Sequence, residues 1–213
     1  MLLLGHIGIT LGTAVLLNGV CTKAGILPNR AKESEVQYEI SAEAPPVPDS
    51  PGRSKLSWLD SLASYVDIRI LIIGSVLPDI IDKPVGQLLL ADTYSSGRIF
   101  CHTLLFAVLI TLVGLYLKKR WNKNWLLVLS FGSFMHLILD QMWASPITLL
   151  WPAYGLVFES EDLTYWMENI LHSLITDPGM FIPELIGAAI LAWFAVILIR
   201  RKKVLAFLKY GHI

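Results

Sequence analysis

An all-α bundle that crosses a membrane about five times is the fold this sequence predicts. Three observations carry that expectation. The chain is too apolar for an ordinary soluble domain of 213 residues, with 54% hydrophobic residues, 16% charged residues and a mean hydropathy of +0.60. Five stretches reach or approach the roughly 20 apolar residues that a spanning helix needs, at about residues 2–20, 68–91, 99–117, 125–150 and 180–199. Lys and Arg gather at only some ends of these stretches, the pattern of short loops on one membrane face.

The first stretch is apolar apart from His6, Thr10, Thr13 and Asn18, and it lacks the basic leader of a secretory signal, so it reads as a retained helix. A polar segment follows from Lys23 to Asp67. Its Glu33, Glu35, Glu39 and Glu43 precede Pro45-Pro46-Val47-Pro48-Asp49-Ser50-Pro51-Gly52, a composition that cannot bury a core and reads as a mobile loop. In the second span, Pro78 and Pro84 predict a broken helix. The third span ends in Lys118-Lys119-Arg120-Trp121-Asn122-Lys123 and the fifth in Arg200-Arg201-Lys202-Lys203, so both ends should face the cytoplasm. Between Asn124 and Ile199 there is no Lys or Arg, and the acidic segment 153–179 carries Glu159, Glu161, Asp162, Glu168 and Asp177. That segment should lie outside. Counting back through alternating spans puts 23–67 in the cytoplasm and the N-terminus outside. The expectation is therefore one multi-pass domain, 1–213, in a prokaryotic inner membrane. Balanced charge gives no signature of a nucleic-acid binder. Cys21 and Cys101 form neither a zinc-type spacing nor a disulfide framework.

Depth along the spans locates the chemistry. At about 1.5 Å rise per residue, Asp79 and Asp82 come roughly 17 and 21 Å across from the inner end of span two. On the same basis, His136 and Asp140 come about 18 and 24 Å across span four. His6 begins span one and His102 begins span three, both at the outer end. Six ionisable groups from four spans thus share the outer layer. Such a group near the bilayer centre costs about 2.5–3.5 kcal/mol on insertion scales and requires a partner or a wet cavity. A divalent cation would compensate these, since imidazole nitrogens and carboxylate oxygens are its usual ligands.

The sharpest local pattern is His136-Leu137-Ile138-Leu139-Asp140, which puts an imidazole and a carboxylate on one helical face. Its bland counterpart, a surface ion pair, is removed by the apolar neighbours. Asp79 and Asp82 share a face if helix persists there; otherwise they are cap residues beside Pro84. His6 and His102 taken singly are ordinary interfacial histidines, and their common depth is what joins them to the set. Arg98 lies one turn before His102 and so on the same side of the helix, where it could clamp a phosphate bidentately or simply snorkel. Glu168 and His172 repeat the i, i+4 geometry in the outer segment, as a second metal pair or as a solvated helix face. Trp143, Trp151, Tyr154, Tyr165 and Trp166 fit an aromatic belt.

These residues resemble the YdjM-type membrane-bound metal-dependent hydrolases, whose pattern has an early His, a Leu-Pro-Asp followed by a second Asp, an Arg four residues before a His within a His-Arg-x-x-Thr-His-Ser run, and a His-Leu-x-Leu-Asp helix followed by a Pro. Here the counterparts are His6, Leu77-Pro78-Asp79 with Asp82, Arg98 with His102, and His136 to Asp140 followed by Trp151-Pro152. The resemblance covers most of residues 1–155. Gly97 stands in place of the run's first His, Cys101 in place of its Thr and Thr103 in place of its Ser, and Asp82 follows Asp79 by three residues where many members have two. The order His, Asp, His, His-x-x-x-Asp is also similar to that of zinc-dependent phospholipases C and S1/P1 nucleases. That likeness implies that His6 and Asp140 serve one metal, that Asp79, His102, His136 and Asp140 surround another, and that Asp140 bridges.

The resemblance implies a hydrolase with one or more divalent ions, Zn first and Mn or Fe as alternatives. Asp79 or Asp82 would orient or deprotonate a water and Arg98 would hold phosphate charge. A site in the outer layer suits a lipid or lipid-linked phosphoester. The rival expectation is a non-catalytic permease or scaffold that uses the same layer for binding. The scarcity of ionisable residues in the cytoplasmic halves of the spans argues against a continuous ion path.

Overall fold

The computed structural model describes residues 2–24, 66–90, 95–155, 157–158 and 172–211. The polar segment 23–67, apart from its ends, and most of 153–179, with Glu168, Tyr165 and Trp166, lie outside the described residues. Within them the chain is helical, with no strand. The long helices are α1 (Leu3–Lys23), α2 (Ile68–Pro84), α3 (Leu104–Trp121), α4 (Trp125–Leu139) and α5 (Pro178–Arg200), and a short α6 (Val204–Tyr210) follows. Two segments, Leu3–Cys21 and Pro178–Arg200, are long and apolar enough to cross a membrane by themselves. Helix α4 is apolar but has only 15 residues, and α3 closes on three cations within its 18.

Three helix starts carry a side-chain cap of their own. Asp67 accepts the Arg69 N–H at 3.0 Å, Thr103 accepts the Phe106 N–H at 3.1 Å, and Asp177, with Pro178 in the first turn, accepts the Gly179 N–H at 2.8 Å. The start of α1 is served from across the bundle. The buried Glu184 of α5 accepts the N–H groups of Leu2 at 2.6 Å and Gly5 at 3.0 Å, satisfying donors that a helix N-terminus leaves without intrahelical partners. Helix α3 ends at Asn122, whose φ of 53° is the left-handed stop that Asn tolerates.

Helix α2 is not broken at Pro78. It runs through to Pro84 and then widens into a π-helical turn, Val85–Leu89. A proline lacks the N–H that would bond the carbonyl four residues back, here that of Gly74. The Ser133 hydroxyl of α4 donates to that carbonyl at 3.1 Å, so the packed helix replaces what the proline removes.

Close approach depends on glycines. A Cβ on Gly132 would lie 2.7–2.8 Å from the backbone of Leu71, Gly74 and Ser75, and one on Gly74 would strike the Leu129 carbonyl, so α2 and α4 touch main chain to main chain. Gly8 of α1 and Gly187 of α5 meet in the same way. Small residues at helix crossings are how bundles pack where lipid leaves little hydrophobic force between helices. Beside these crossings, Leu11, Ile68, Leu71, Val128, Phe194 and Ile197 form the core, while Leu16, Val108, Leu112, Leu185 and Ile199 are exposed on outer faces. Apolar outer faces of this extent suit a lipid surround.

Candidate metal centre

The helix ends converge at one pole of the bundle. His6 lies in the first turns of α1, Asp79 and Asp82 near the end of α2, His102 just before α3, and His136 and Asp140 at the end of α4. The clusters Lys118-Lys119-Arg120 and Arg200-Arg201-Lys202-Lys203 lie at the other pole, where α3 and α5 finish.

The segment before α3 differs from the sequence expectation. Residues 95–103 are not helical, so Arg98 and His102 are not one turn apart on a helix face. The cause is Asp82. Its fully buried carboxylate accepts the main-chain N–H groups of Ile99, Cys101 and His102 at 2.9–3.0 Å, and donors bound to a side chain in this way are unavailable to a helix. It also accepts the Nδ1–H of His102 at 2.8 Å. Asp82, expected as a water-activating or ligating group, is instead directed at the loop and stands behind His102.

His136 is fixed similarly, its Nδ1–H donating to the Ser75 carbonyl at 2.8 Å. With both Nδ1 protons committed, the Nε2 atoms of His102 and His136 face each other at 3.2 Å. Two unprotonated imidazole nitrogens at that separation repel unless a cation lies between them. Asp79 Oδ1 completes a triangle, 3.6 Å from His102 Nε2 and 3.8 Å from His136 Nε2. A tetrahedral ion with bonds of about 2.05 Å holds its ligands roughly 3.3 Å apart, close to these edges. On the other side of His136 the His6 ring stacks at 4.0 Å, and its Nε2 is 3.1 Å from Asp140 Oδ1. Both His6 ring nitrogens are buried, Nδ1 with no partner and Nε2 with this contact to Asp140 alone, a donor set that fits a metal ion.

Two groups among the described residues could hold a metal ion, Asp79, His102 and His136 in one and His6, His136 and Asp140 in the other. The shared residue is thus His136, where the expected bridge was Asp140. Asp140 turns instead toward His6 and accepts the Arg98 Nε–H at 3.2 Å. Since His136 Nδ1 is occupied and Nε2 has one lone pair, His136 can serve one ion at a time. His172 lies in a short helical stretch, 172–176, exposed and paired with Thr176, and belongs to neither group.

A profile of the YdjM inner membrane protein family matches residues 50–210. The chain belongs to that family. The match takes in α2 to α6, including the region beyond Pro152 that no motif had identified, while α1 with His6 lies outside it. No curated protein and no solved structure matches significantly.

Five residues at or near this pole escaped the sequence reading. Lys83 donates to Asp79 Oδ2 at 2.8 Å, an i, i+4 pair visible in the sequence. Glu184 was legible as a lone acid inside an apolar span. Ser75 acts through a carbonyl, which has no sequence signal. Phe100 and Phe158 pack edge-on against each other at 5.3 Å beside Trp151, which had been assigned to the aromatic belt.

Proposed function

We propose that this family member is a membrane-embedded, metal-dependent hydrolase that acts on a phosphoester of a lipid or lipid-linked substrate. The observation that carries the reading is the pair of histidines whose Nδ1 protons are committed and whose Nε2 atoms converge with Asp79 Oδ1, beside a His6 whose Nδ1 has no partner. The donor set suits Zn, with Mn or Fe as alternatives. A divalent ion held there supplies a Lewis acid and a water that ionises near neutrality. The chain's own residues supply the rest. Asp82 and the Ser75 carbonyl fix the two imidazoles, Asp79 offers one oxygen to the centre, and Arg98 braces Asp140. The buried histidines keep bulk water off the centre.

The membrane setting supports the substrate class. Five spans, with the site pole outside and both basic clusters in the cytoplasm, satisfy the distribution of Lys and Arg. The N-terminus is then outside and the C-terminus inside, and the centre lies in the outer leaflet, below the head groups. The test is turnover of phospholipid and lipid-linked phosphoesters in nanodiscs by metal-replete protein. The reading expects product release that is abolished by chelation and by His136→Ala. Metal-dependent flux across proteoliposomes without any hydrolysis would overturn it in favour of a permease.

A further inference from the structure

Two cations stand on the accessible side of the centre in matching positions. Asp79 presents Oδ1 to the histidines and takes Lys83 Nζ on Oδ2 at 2.8 Å. Asp140 presents Oδ1 to His6 and takes Arg98 Nε on Oδ2 at 3.2 Å. The side chains of His102 and Asp140 are 0% and 5% exposed, whereas those of Lys83 and Arg98 are 37% and 40% exposed. Lys83 and Arg98 are thus the most exposed of the charged groups around the buried Nε2 atoms, followed by Asp79 at 21%. The two belong to one rim: a Cβ on Gly97, the residue before Arg98, would lie 3.5 Å from Lys83 Cγ and 2.7 Å from Gln87 Nε2.

Charge selects the ligand. Asp79, Asp82, Asp140 and, at the start of α1, Glu184 carry four negative charges against three on Lys83, Arg98 and the N-terminal amine whose field acts on Asp140. With neutral histidines the site is at −1, and a divalent ion brings it to +1. A low-dielectric site with one uncompensated positive charge favours one negative charge over two. Each cation holds its carboxylate by the oxygen other than the one nearest the histidines, Lys83 through Nζ and Arg98 through Nε.

We infer that Lys83 and Arg98 form a two-sided anion subsite over the centre, matched to a singly charged phosphodiester. This rests on the hydrolase reading and narrows its substrate class. Lys83 contributes as a binding and specificity residue.

The experiment uses detergent-purified full-length protein, stripped with a chelator and reloaded with Zn. Metal uptake is measured first, because absence of uptake overturns the hydrolase reading and this subsite together. Dimethyl phosphate and inorganic phosphate are then titrated by calorimetry. The subsite predicts that dimethyl phosphate binds only to loaded protein and more tightly than inorganic phosphate. Lys83→Met and Arg98→Met should each weaken it roughly tenfold or more, as expected for loss of a charged hydrogen bond, and Lys83→Arg should restore it. Removing a positive charge beside the ion should leave Zn uptake in Lys83→Met equal or tighter, a split that a purely structural lysine would not give. Short-chain phosphatidylglycerol that displaces dimethyl phosphate identifies a lipid head group as the source; no displacement identifies a soluble diester, and both support the subsite. Tighter binding of inorganic phosphate, unchanged dimethyl phosphate affinity in Lys83→Met, or joint loss of metal and anion in that variant would overturn it, whatever the metal result.

Discussion

Replacing Asp82 separates an orienting carboxylate from a catalytic one. Its two oxygens accept N–H groups of Ile99, Cys101 and His102 and the Nδ1–H of His102, all within 2.8–3.0 Å in a fully buried setting. Hydrogen bonds to a charged group contribute about 1.5–3 kcal/mol each, and donors left unsatisfied in a buried site lose roughly 1–3 kcal/mol. Asp82→Ala leaves all four donor groups without their acceptor at once. Even with strong non-additivity the loss is on the order of 4–6 kcal/mol, comparable to the whole stability of many domains. Asp82→Asn keeps one acceptor oxygen and turns an NH2 toward donors, for a loss of about 2–3 kcal/mol, and it frees the His102 ring. Groups that orient metal-ligating histidines are worth about 10- to 100-fold in metal affinity. Tryptophan-fluorescence melting and Zn titration of the Asn variant should therefore show a lower Tm and weaker metal binding together. A variant that melts and binds Zn like the parent would refute the assignment of Asp82 to the loop, as would one that loses turnover alone.

Gly132→Ala pushes a methyl into the backbone of α2, which cannot yield as a side chain would, and should destabilise by about 1–3 kcal/mol or more; thermal melting in detergent checks it, with Gly19→Ala, whose Cβ meets nothing within 4 Å, as control. Glu184→Gln leaves a single neutral acceptor for the two N–H groups of Leu2 and Gly5 at the start of α1 and turns an NH2 toward the other, and should lower stability by about 1 kcal/mol or more, read as faster exchange of the amides at that end. At the opposite pole, Arg69 holds Asp67 and donates to the Leu208 and Lys209 carbonyls at 3.1 Å, tying α6 to α2. Burial works to raise the Asp67 carboxyl, and hydrogen bonds from Arg69 outweigh it, leaving its pKa below 3.8. A depressed acid contributes stability above its unfolded pKa that fades as pH falls through the folded value. Asp67→Asn should thus lower Tm at pH 7, by an amount that begins to shrink as pH falls below about 4 and vanishes below the folded pKa; an effect that does not shrink with falling pH would contradict the pairing.

Much of the site was legible because ionisable residues are expensive in an apolar chain. His6, Asp79, His102, His136 and Asp140 stood out against their neighbours, and rise per residue was enough to place them at one depth. What rise per residue does not give is direction. Asp82 and Asp79 are equivalent by spacing, yet one faces the loop and the other the histidines, a distinction set by three main-chain donors from residues 99–102. The helical start expected at 99 failed for the same reason, since a side chain elsewhere in the sequence outcompeted local helix formation. Pro78 misled in the opposite sense. A proline breaks an isolated helix, but the Ser133 hydroxyl that repairs α2 arrives only with tertiary packing. The choice of His136 over Asp140 as the shared residue depended on which atoms turn toward Arg98 and Ser75, and that too belongs to packing.

The metal content of the purified protein tests the central claim most directly. Wild-type protein measured by inductively coupled plasma mass spectrometry should carry about one divalent ion per chain, since the two groups share one His136 lone pair. His136→Ala should carry close to none, and His172→Ala should match wild type. No bound metal in wild-type protein, or equal content in wild type and His136→Ala, would contradict the account.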